Sequence, residues 1–461
     1  MKSPLSTRLL APALLLLAAC PGCGPSRAEF DGAMERLDFR RVVQSAKDRV
    51  FPAVVFIKCL RESFEGGRRV FQEVAGSGVI VSPDGEVLTN WHVVEKAGEI
   101  RCLLTSGVSC EARLVGADKD TDLALLKLAL PAGAAPVPSA TLGDSRLLAE
   151  GEFVLAMGAP WGMSRSVSIG IVSCPRRHLP GHSEYSLWLQ TDASISPGNS
   201  GGPLVNAAGE VVGVNTLSSF TGGDLGFAVP SETIGFILPQ LREHGRADWS
   251  WIGLELQPLR DFERNISFEA AEGVVVSGTD PDSPARRAGI LPRDRIVRID
   301  GRAVTAATAE DLPALRRMIG ALPRERPVKF ELLRGEEAVT VELAPRDKGR
   351  VEGEFLDCPR WDLTVKAINE FENPALYFQR REGVFVYGIK YPGNAGTSGL
   401  RRQDIILRID GREIKTLADV KAAHKAALAG LPARSRVALV LLRGGVERQA
   451  VLNFSRDYDK E

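Results

Sequence analysis

Ser194-Ile195-Ser196-Pro197-Gly198-Asn199-Ser200-Gly201-Gly202-Pro203 is the stretch on which the reading of this chain turns. A serine sits in a run of glycines, and the apolar runs Leu204-Val205 and Val211-Val212-Gly213-Val214 follow it. Glycine lets a backbone turn tightly and leaves N–H groups converging on one point. Acyl transfer needs that arrangement, a hydroxyl nucleophile beside donors that will hold an oxyanion. A plain turn between strands is the commoner use of such a run, and short motifs carry false positives. The decision rests on what else the chain supplies.

A serine nucleophile at neutral pH needs a base, and the base needs an orienting carboxylate. Of five histidines, His92 lies in Leu88-Thr89-Asn90-Trp91-His92-Val93-Val94, just after a predicted strand. His178 and His182 fall in a Pro/Gly-rich loop, where i,i+4 spacing builds no metal site. His244 and His424 sit in polar helical surroundings. The carboxylate candidate is Asp122, which opens the apolar run Leu123-Ala124-Leu125-Leu126-Lys127-Leu128 and is costly to bury there without a partner. The order His92, Asp122, Ser200 is one of three chain orders known for this triad. No metal and no cofactor is expected.

From Ala53 to about Leu241 the chain alternates short apolar runs with turns, the pattern of an all-β barrel or sandwich. A short amphipathic helix is predicted around Arg41–Val50, ended by Pro52. Taken together, Gly76-Ser77-Gly78-Val79-Ile80, Thr89-Asn90-Trp91-His92-Val93-Val94, Thr121-Asp122-Leu123-Ala124-Leu125-Leu126-Lys127, Gln190-Thr191-Asp192-Ala193 and Gly226-Phe227-Ala228-Val229-Pro230 join the serine stretch in one pattern. That pattern resembles the HtrA/Deg branch of trypsin-like serine proteases. The resemblance implies a mainly β chain with a chymotrypsin-like double β-barrel. It also implies catalysis by His92, Asp122 and Ser200, with Gly198, Asn199 and Ser200 as oxyanion donors, those of Gly198 and Ser200 being the stronger candidates. Asn199 stands where pancreatic enzymes carry the aspartate that pairs with a newly cut N-terminus, so no zymogen cleavage is implied. Ser194 stands where trypsin carries its basic-specificity aspartate. Ile195 and Leu217 are then candidates for a small apolar S1 pocket.

The second half contains an internal repeat with a period of about 110 residues. Gly273-Val274-Val275-Val276 answers Gly383-Val384-Phe385-Val386, and Asp294-Arg295-Ile296-Val297-Arg298-Ile299-Asp300-Gly301 answers Asp404-Ile405-Ile406-Leu407-Arg408-Ile409-Asp410-Gly411. Helices are predicted over Glu310–Ile319 and Leu417–Leu428 before the last strands of each copy. Each unit resembles a PDZ domain of the circularly permuted bacterial kind, an α+β fold that binds C-terminal peptides by strand addition. In the first, Trp251-Ile252-Gly253-Leu254 resembles the carboxylate loop. In the second, Trp361-Asp362-Leu363 lacks the glycine and brings a negative charge. Peptide binding is therefore expected of the first, and an interdomain or assembly role of the second.

The predicted order is a lipoprotein-type signal peptide at 1–19, a tether at 20–40, the protease domain at 41–245, and PDZ domains at 246–349 and 350–461. Lys2 and Arg8 precede an apolar run from Leu9 to Ala19, too short to span a bilayer as a mature helix. Leu17-Ala18-Ala19-Cys20 resembles a lipoprotein processing site, which would place a lipid anchor on Cys20 and the enzyme in the bacterial periplasm. Export permits disulfides. A three-residue loop at 105–107 would put Cys102 and Cys110 opposite each other, as a local disulfide or as two buried thiols. The formal net charge is zero, so nucleic acid is not an expected partner. The expected partners are misfolded polypeptides, C-terminal peptides at the first PDZ domain, the membrane, and two further copies in a homotrimer. Alternatives are a chaperone or scaffold with little proteolysis, and a regulatory protease with a single membrane-protein substrate.

Overall fold

The computed structural model describes residues 39–458 apart from 66–67, 160–165, 183, 220–224 and 262–265. The predicted signal peptide, Cys20 and nearly all of the tether lie outside the described residues. The first element is helix α1 (Phe39–Val50), which buries Ala46 and Val50. Pro52, inside the single 3-10 turn that follows, accompanies the change to extended chain.

Six strands close the first barrel: β1 (Val54–Glu65), β2 (Arg68–Ile80), β3 (Glu86–Thr89), β4 (Ala97–Leu103), β5 (Ser109–Asp118) and β6 (Leu123–Leu128), paired in the order β1-β2-β3-β6-β5-β4. The second barrel pairs β7 (Phe153–Gly158), β8 (Ser166–Arg177), β9 (Trp188–Thr191), β10 (Pro203–Asn206), β11 (Val211–Ser219) and β12 (Leu225–Pro230) in the order β10-β11-β12-β9-β8-β7. Closure leaves no exposed sheet edge. Runs such as Leu123–Leu126 and Val211–Val212 become fully buried wall. Helix α2 (Trp91–Val94) is a single turn between β3 and β4, and α3 (Ser231–His244) follows β12 and packs on strands of both barrels. Gly245 ends α3 in the left-handed region at φ 71°, where its N–H bonds to Leu241 O.

Cys102 and Cys110 do face each other across β4 and β5, as their spacing predicts. Both thiols are nevertheless free. Burial pushes the Cys102 thiol up to about 12, which disfavours the thiolate that disulfide exchange requires.

Beyond the barrels, β13 (Ser250–Trp251) leads into β14 (Leu254–Gln257), β15 (Val274–Thr279), β16 (Arg295–Ile299), helix α4 (Leu312–Gly320), β17 (Val328–Arg334) and β18 (Glu337–Leu343). Their sheet order is β14-β15-β16-β17-β18, with the segment Arg302–Ala303 paired to β16. Strand β19 (Arg346–Asp347) returns to pair with β13, so the first small domain is entered and left through one two-stranded joint. The second contains β20 (Phe355–Cys358), β21 (Leu363–Ala367), β22 (Val384–Ile389), β23 (Ile405–Ile409), α5 (Leu417–Ala429), β24 (Arg436–Arg443) and β25 (Val446–Asn453). Its order, β20-β21-β22-β23-β24-β25, repeats the first with one strand added at the outer edge. Each domain has its own buried cluster, around Phe330 in one and around Trp361 and Phe454 in the other.

Candidate active site

The first barrel carries the candidate base and its candidate carboxylate. His92 sits on the one-turn helix after β3, and Asp122 ends the tight turn before β6. His92 Nδ1 and Asp122 Oδ2 are 2.7 Å apart, so Nδ1 carries the proton it donates and Nε2 is left as the acceptor. Asp122 Oδ1 accepts the His92 backbone N–H at 3.0 Å. Asp122 holds φ 55°, an uncommon conformation for a residue with a side chain. Its carbonyl is fixed by Trp91 N–H at 3.2 Å and by Asn90 Nδ2 at 3.0 Å. The Arg61 guanidinium donates to the carbonyls of His92 and Glu95, fixing the helix from the other side.

The second barrel carries the candidate nucleophile, Ser200. Gly198 takes φ 101° and Gly201 takes φ 86°. A Cβ on Gly201 would lie 2.1 Å from Ser77 O, and one on Gly202 would lie 2.1 Å from Met157 O, so only glycine fits beside Ser200. Ser77 clamps the loop: its hydroxyl donates to Gly198 O at 2.6 Å, and its N–H donates to Ser200 O at 2.8 Å. Among the described residues, the N–H groups of Gly198 and Ser200 have no acceptor. Asn199, grouped with them on the sequence, differs: its N–H donates to Ser196 O at 2.9 Å, because the turn closes on itself there.

Ser200 Oγ donates to Thr216 O at 3.3 Å, not to His92. Asn90 Nδ2 also donates to Thr216 Oγ1 at 2.9 Å, so one amide ties the Asp122 turn to the strand behind the nucleophile. Ile195 is buried and packs against Gly226, whose absent Cβ would lie 2.9 Å from Ile195 Cδ1. The side chain of Leu217 lies outside the described residues. Sequence reasoning named neither Arg61 nor Thr216. Ser77 and Asn90 lay within quoted motifs, but their role depends on contacts across the two barrels.

The trypsin-like peptidase domain family matches residues 76–214, and the PDZ domain family matches residues 250–344. A probable periplasmic serine endoprotease DegP-like of Halomonas elongata is 36% identical over 351 residues, covering 74% of this chain and 71% of its own. The chain belongs to the HtrA family of trypsin-like serine endopeptidases. A second DegP-like protein of this family, from Brucella suis, is 32% identical over 370 residues, covering 76% of this chain and 68% of its own. A solved HtrA-type protease, AlgW with a tripeptide, superposes with a TM-score of 0.58 at 32% identity, over 67% of this chain and 97% of its own. The serine endoprotease from Yersinia pestis gives 0.51 at 32% identity, over 66% and 97%.

In this HtrA protease the two carboxylate-loop candidates differ in geometry. Gly253 takes φ 70°, and the N–H groups of Ile252 and Gly253 have no acceptor among the described residues. Trp251 pairs with Arg346, whose guanidinium covers the indole at 4.0 Å. Leu254 opens β14, whose outer edge pairs with no strand among the described residues. A cleft of about 530 Å³ lies there, lined by Leu256 and Gln257 on one side and by Thr308, Glu310 and Leu312 on the other. His178 and Glu184 of the β8–β9 loop form its rim.

Proposed function

We propose that this chain hydrolyses internal peptide bonds of unfolded or damaged polypeptides through an acyl-enzyme on Ser200. The supporting observation is the fixed His92–Asp122 pair beside a serine flanked by two unpaired N–H groups. Ser200 Oγ turns from Thr216 O towards His92 Nε2, gives up its proton there, and attacks the substrate carbonyl. Asp122 keeps His92 in the required tautomer and stabilises the imidazolium. Gly198 N–H and Ser200 N–H receive the oxyanion, each worth about 3–4 kcal/mol of transition-state stabilisation. The imidazolium then protonates the leaving amine, and water releases the acyl group by the same route. Ser200→Ala should leave folding intact and abolish cleavage of unfolded casein. Cleavage at the wild-type rate by that variant would refute the assignment.

Ile195, with Leu217, forms a small apolar S1 pocket that favours residues such as Val or Ala, and the neutral Ser194 disfavours Arg and Lys. The first PDZ domain captures C-terminal peptides: the N–H groups of Ile252 and Gly253 take the carboxylate, and the open edge of β14 adds the peptide as a strand. The second domain serves packing or assembly, because β20 already lies along β21 where a ligand strand would add. The enzyme works in the bacterial periplasm, as its DegP-like relatives are named for. A lipid on Cys20 holds it to a membrane, and three copies assemble through their protease domains. Labelling with a radioactive fatty acid, lost in Cys20→Ala, tests the anchor; sedimentation tests the trimer.

A further inference from the structure

We propose that Trp249 and Lys348, which lie outside both barrels, are positioning residues for Asp122. The turn Asp118–Asp122 presents the triad carboxylate, and its geometry is not self-sufficient. Asp122 is left-handed, and its N–H reaches Lys119 O only at 3.2 Å. The turn is held instead by the buried carboxylate of Asp118, whose Oδ2 accepts from Thr121 N at 2.9 Å and Thr121 Oγ1 at 2.6 Å. A carboxylate buried to this degree needs further partners. Its other oxygen accepts the indole N–H of Trp249 at 3.1 Å.

The next two residues of the turn also find partners beyond α3. Lys119 Nζ bonds to Glu352 Oε1 at 2.6 Å, and Asp120 Oδ2 accepts from Lys348 Nζ at 2.7 Å. Lys348 N–H in turn donates to Trp249 O at 2.9 Å, so the two positioning residues are joined through the backbone. Trp249 stacks on Tyr185 at 4.2 Å and on Phe236 at 5.6 Å. Gly320, at the end of α4, lies so close that a Cβ there would fall 2.5 Å from Trp249 Cε3. The indole is thus wedged between the second barrel and the helix of the first PDZ domain, with its one polar atom aimed at the turn that carries Asp122. The ends of the two-stranded joint, rather than the barrels alone, fix where the carboxylate meets His92.

This inference rests on the serine-protease reading, and its test separates the two. Trp249→Phe keeps an aromatic ring in the stack and removes the N–H together with the five-membered ring; Lys348→Met and Lys348→Arg probe the second contact without touching the stack. The full chain is assayed for kcat and KM on a short peptide and for the rate of Ser200 phosphonylation by a fluorophosphonate, both per titratable active site. A misplacement of about 1 Å can cost roughly a hundredfold in rate, and a smaller one, with a loss of about tenfold in kcat and in phosphonylation rate, is expected for Trp249→Phe. KM should stay within about twofold, since no substrate contact is removed. Lys348→Met should lose several-fold, and Lys348→Arg should restore most of it. Wild-type per-site rates in both Trp249→Phe and Lys348→Met would overturn the inference, as would a loss that vanishes once activity is counted per titratable site. A wild-type chain that does not react at Ser200 would instead refute the serine-protease reading.

Discussion

The two small domains, the first matched by the PDZ family and the second repeating its strand order and helix placement, treat the corresponding edge strand oppositely. In the first, β14 is the end of its sheet and its outer edge pairs with no strand among the described residues. In the second, β20 lies antiparallel along β21, from Phe355 opposite Lys366 to Cys358 opposite Leu363. It packs there against α5, the counterpart of the groove helix. The loops differ as sharply. Gly253 at φ 70° and Asp362 at φ 55° occupy matching positions, each with its carbonyl accepting from the residue that opens the next turn, Asp280 or Lys390. In the first domain the glycine faces the Ser283 side chain; in the second Asp362 faces Gly393, so the missing Cβ has changed sides. Asp362 N–H is taken by Pro359 O, and its carboxylate accepts from Asn394 N–H at 2.8 Å. A repeated fold thus keeps its backbone while a carboxylate fills the loop and a strand covers the edge that stand open in the first domain.

The largest effect should come from Gly253→Val. A side chain there meets Ser283 Cβ at 2.2 Å and a strained backbone, so the loop cannot keep its shape. Affinity of the full chain for an apolar C-terminal peptide should fall at least about 100-fold, or about 2.7 kcal/mol, in an anisotropy titration. Unchanged affinity would break the comparison. Asp362→Ala, at the matching position, should leave that affinity alone. It leaves Asn394 N–H and Lys390 without their carboxylate, which should cost the second domain about 1–3 kcal/mol, read as a lower melting transition. A further effect, near 1 kcal/mol, is expected for Phe355→Ala, because that ring carries Lys366 at 4.1 Å and Lys96 at 4.9 Å and meets Tyr387 edge-on. Hydrogen exchange at Leu356 and Asp357 should quicken as β20 loosens; unchanged exchange would mean the strand is held by its backbone alone.

The smallest expected effect concerns how the domains are seated. The first rests on Asp118 through Trp249, and burial pushes the Asp118 carboxyl up to about 6. The folded chain then holds a proton that the unfolded chain has released, so this group's contribution is full below the ordinary carboxylate range and lost as pH rises through about 6. Denaturation midpoints should decline between pH 4 and 6 on this account, and Asp118→Asn should flatten that decline.

Much of this was legible in the sequence. The repeat placed both helices to within two residues at their starts, because an apolar face at helical spacing leaves little freedom. The glycine run around Ser200 and the acid before Leu123 marked Ser200 as the candidate nucleophile and Asp122 as the candidate carboxylate, because few residue types fit those positions. What could not be read were contacts between distant segments. Nothing local marks Asn90 as the bridge from Asp122 to Thr216, or Trp249 as the partner of Asp118, since each depends on how separately folded units meet. Asn199, already the weaker oxyanion candidate on the sequence, is set apart by its N–H closing on Ser196. β20 escaped notice because four residues with no clear alternation resemble a linker.

Fluorophosphonate labelling followed by peptide mass mapping tests the central claim most directly. Wild type should carry one label, on Ser200, and Ser200→Ala should carry none while retaining its folded spectrum. Absence of label in a folded wild-type chain, or label persisting in Ser200→Ala, would contradict the account.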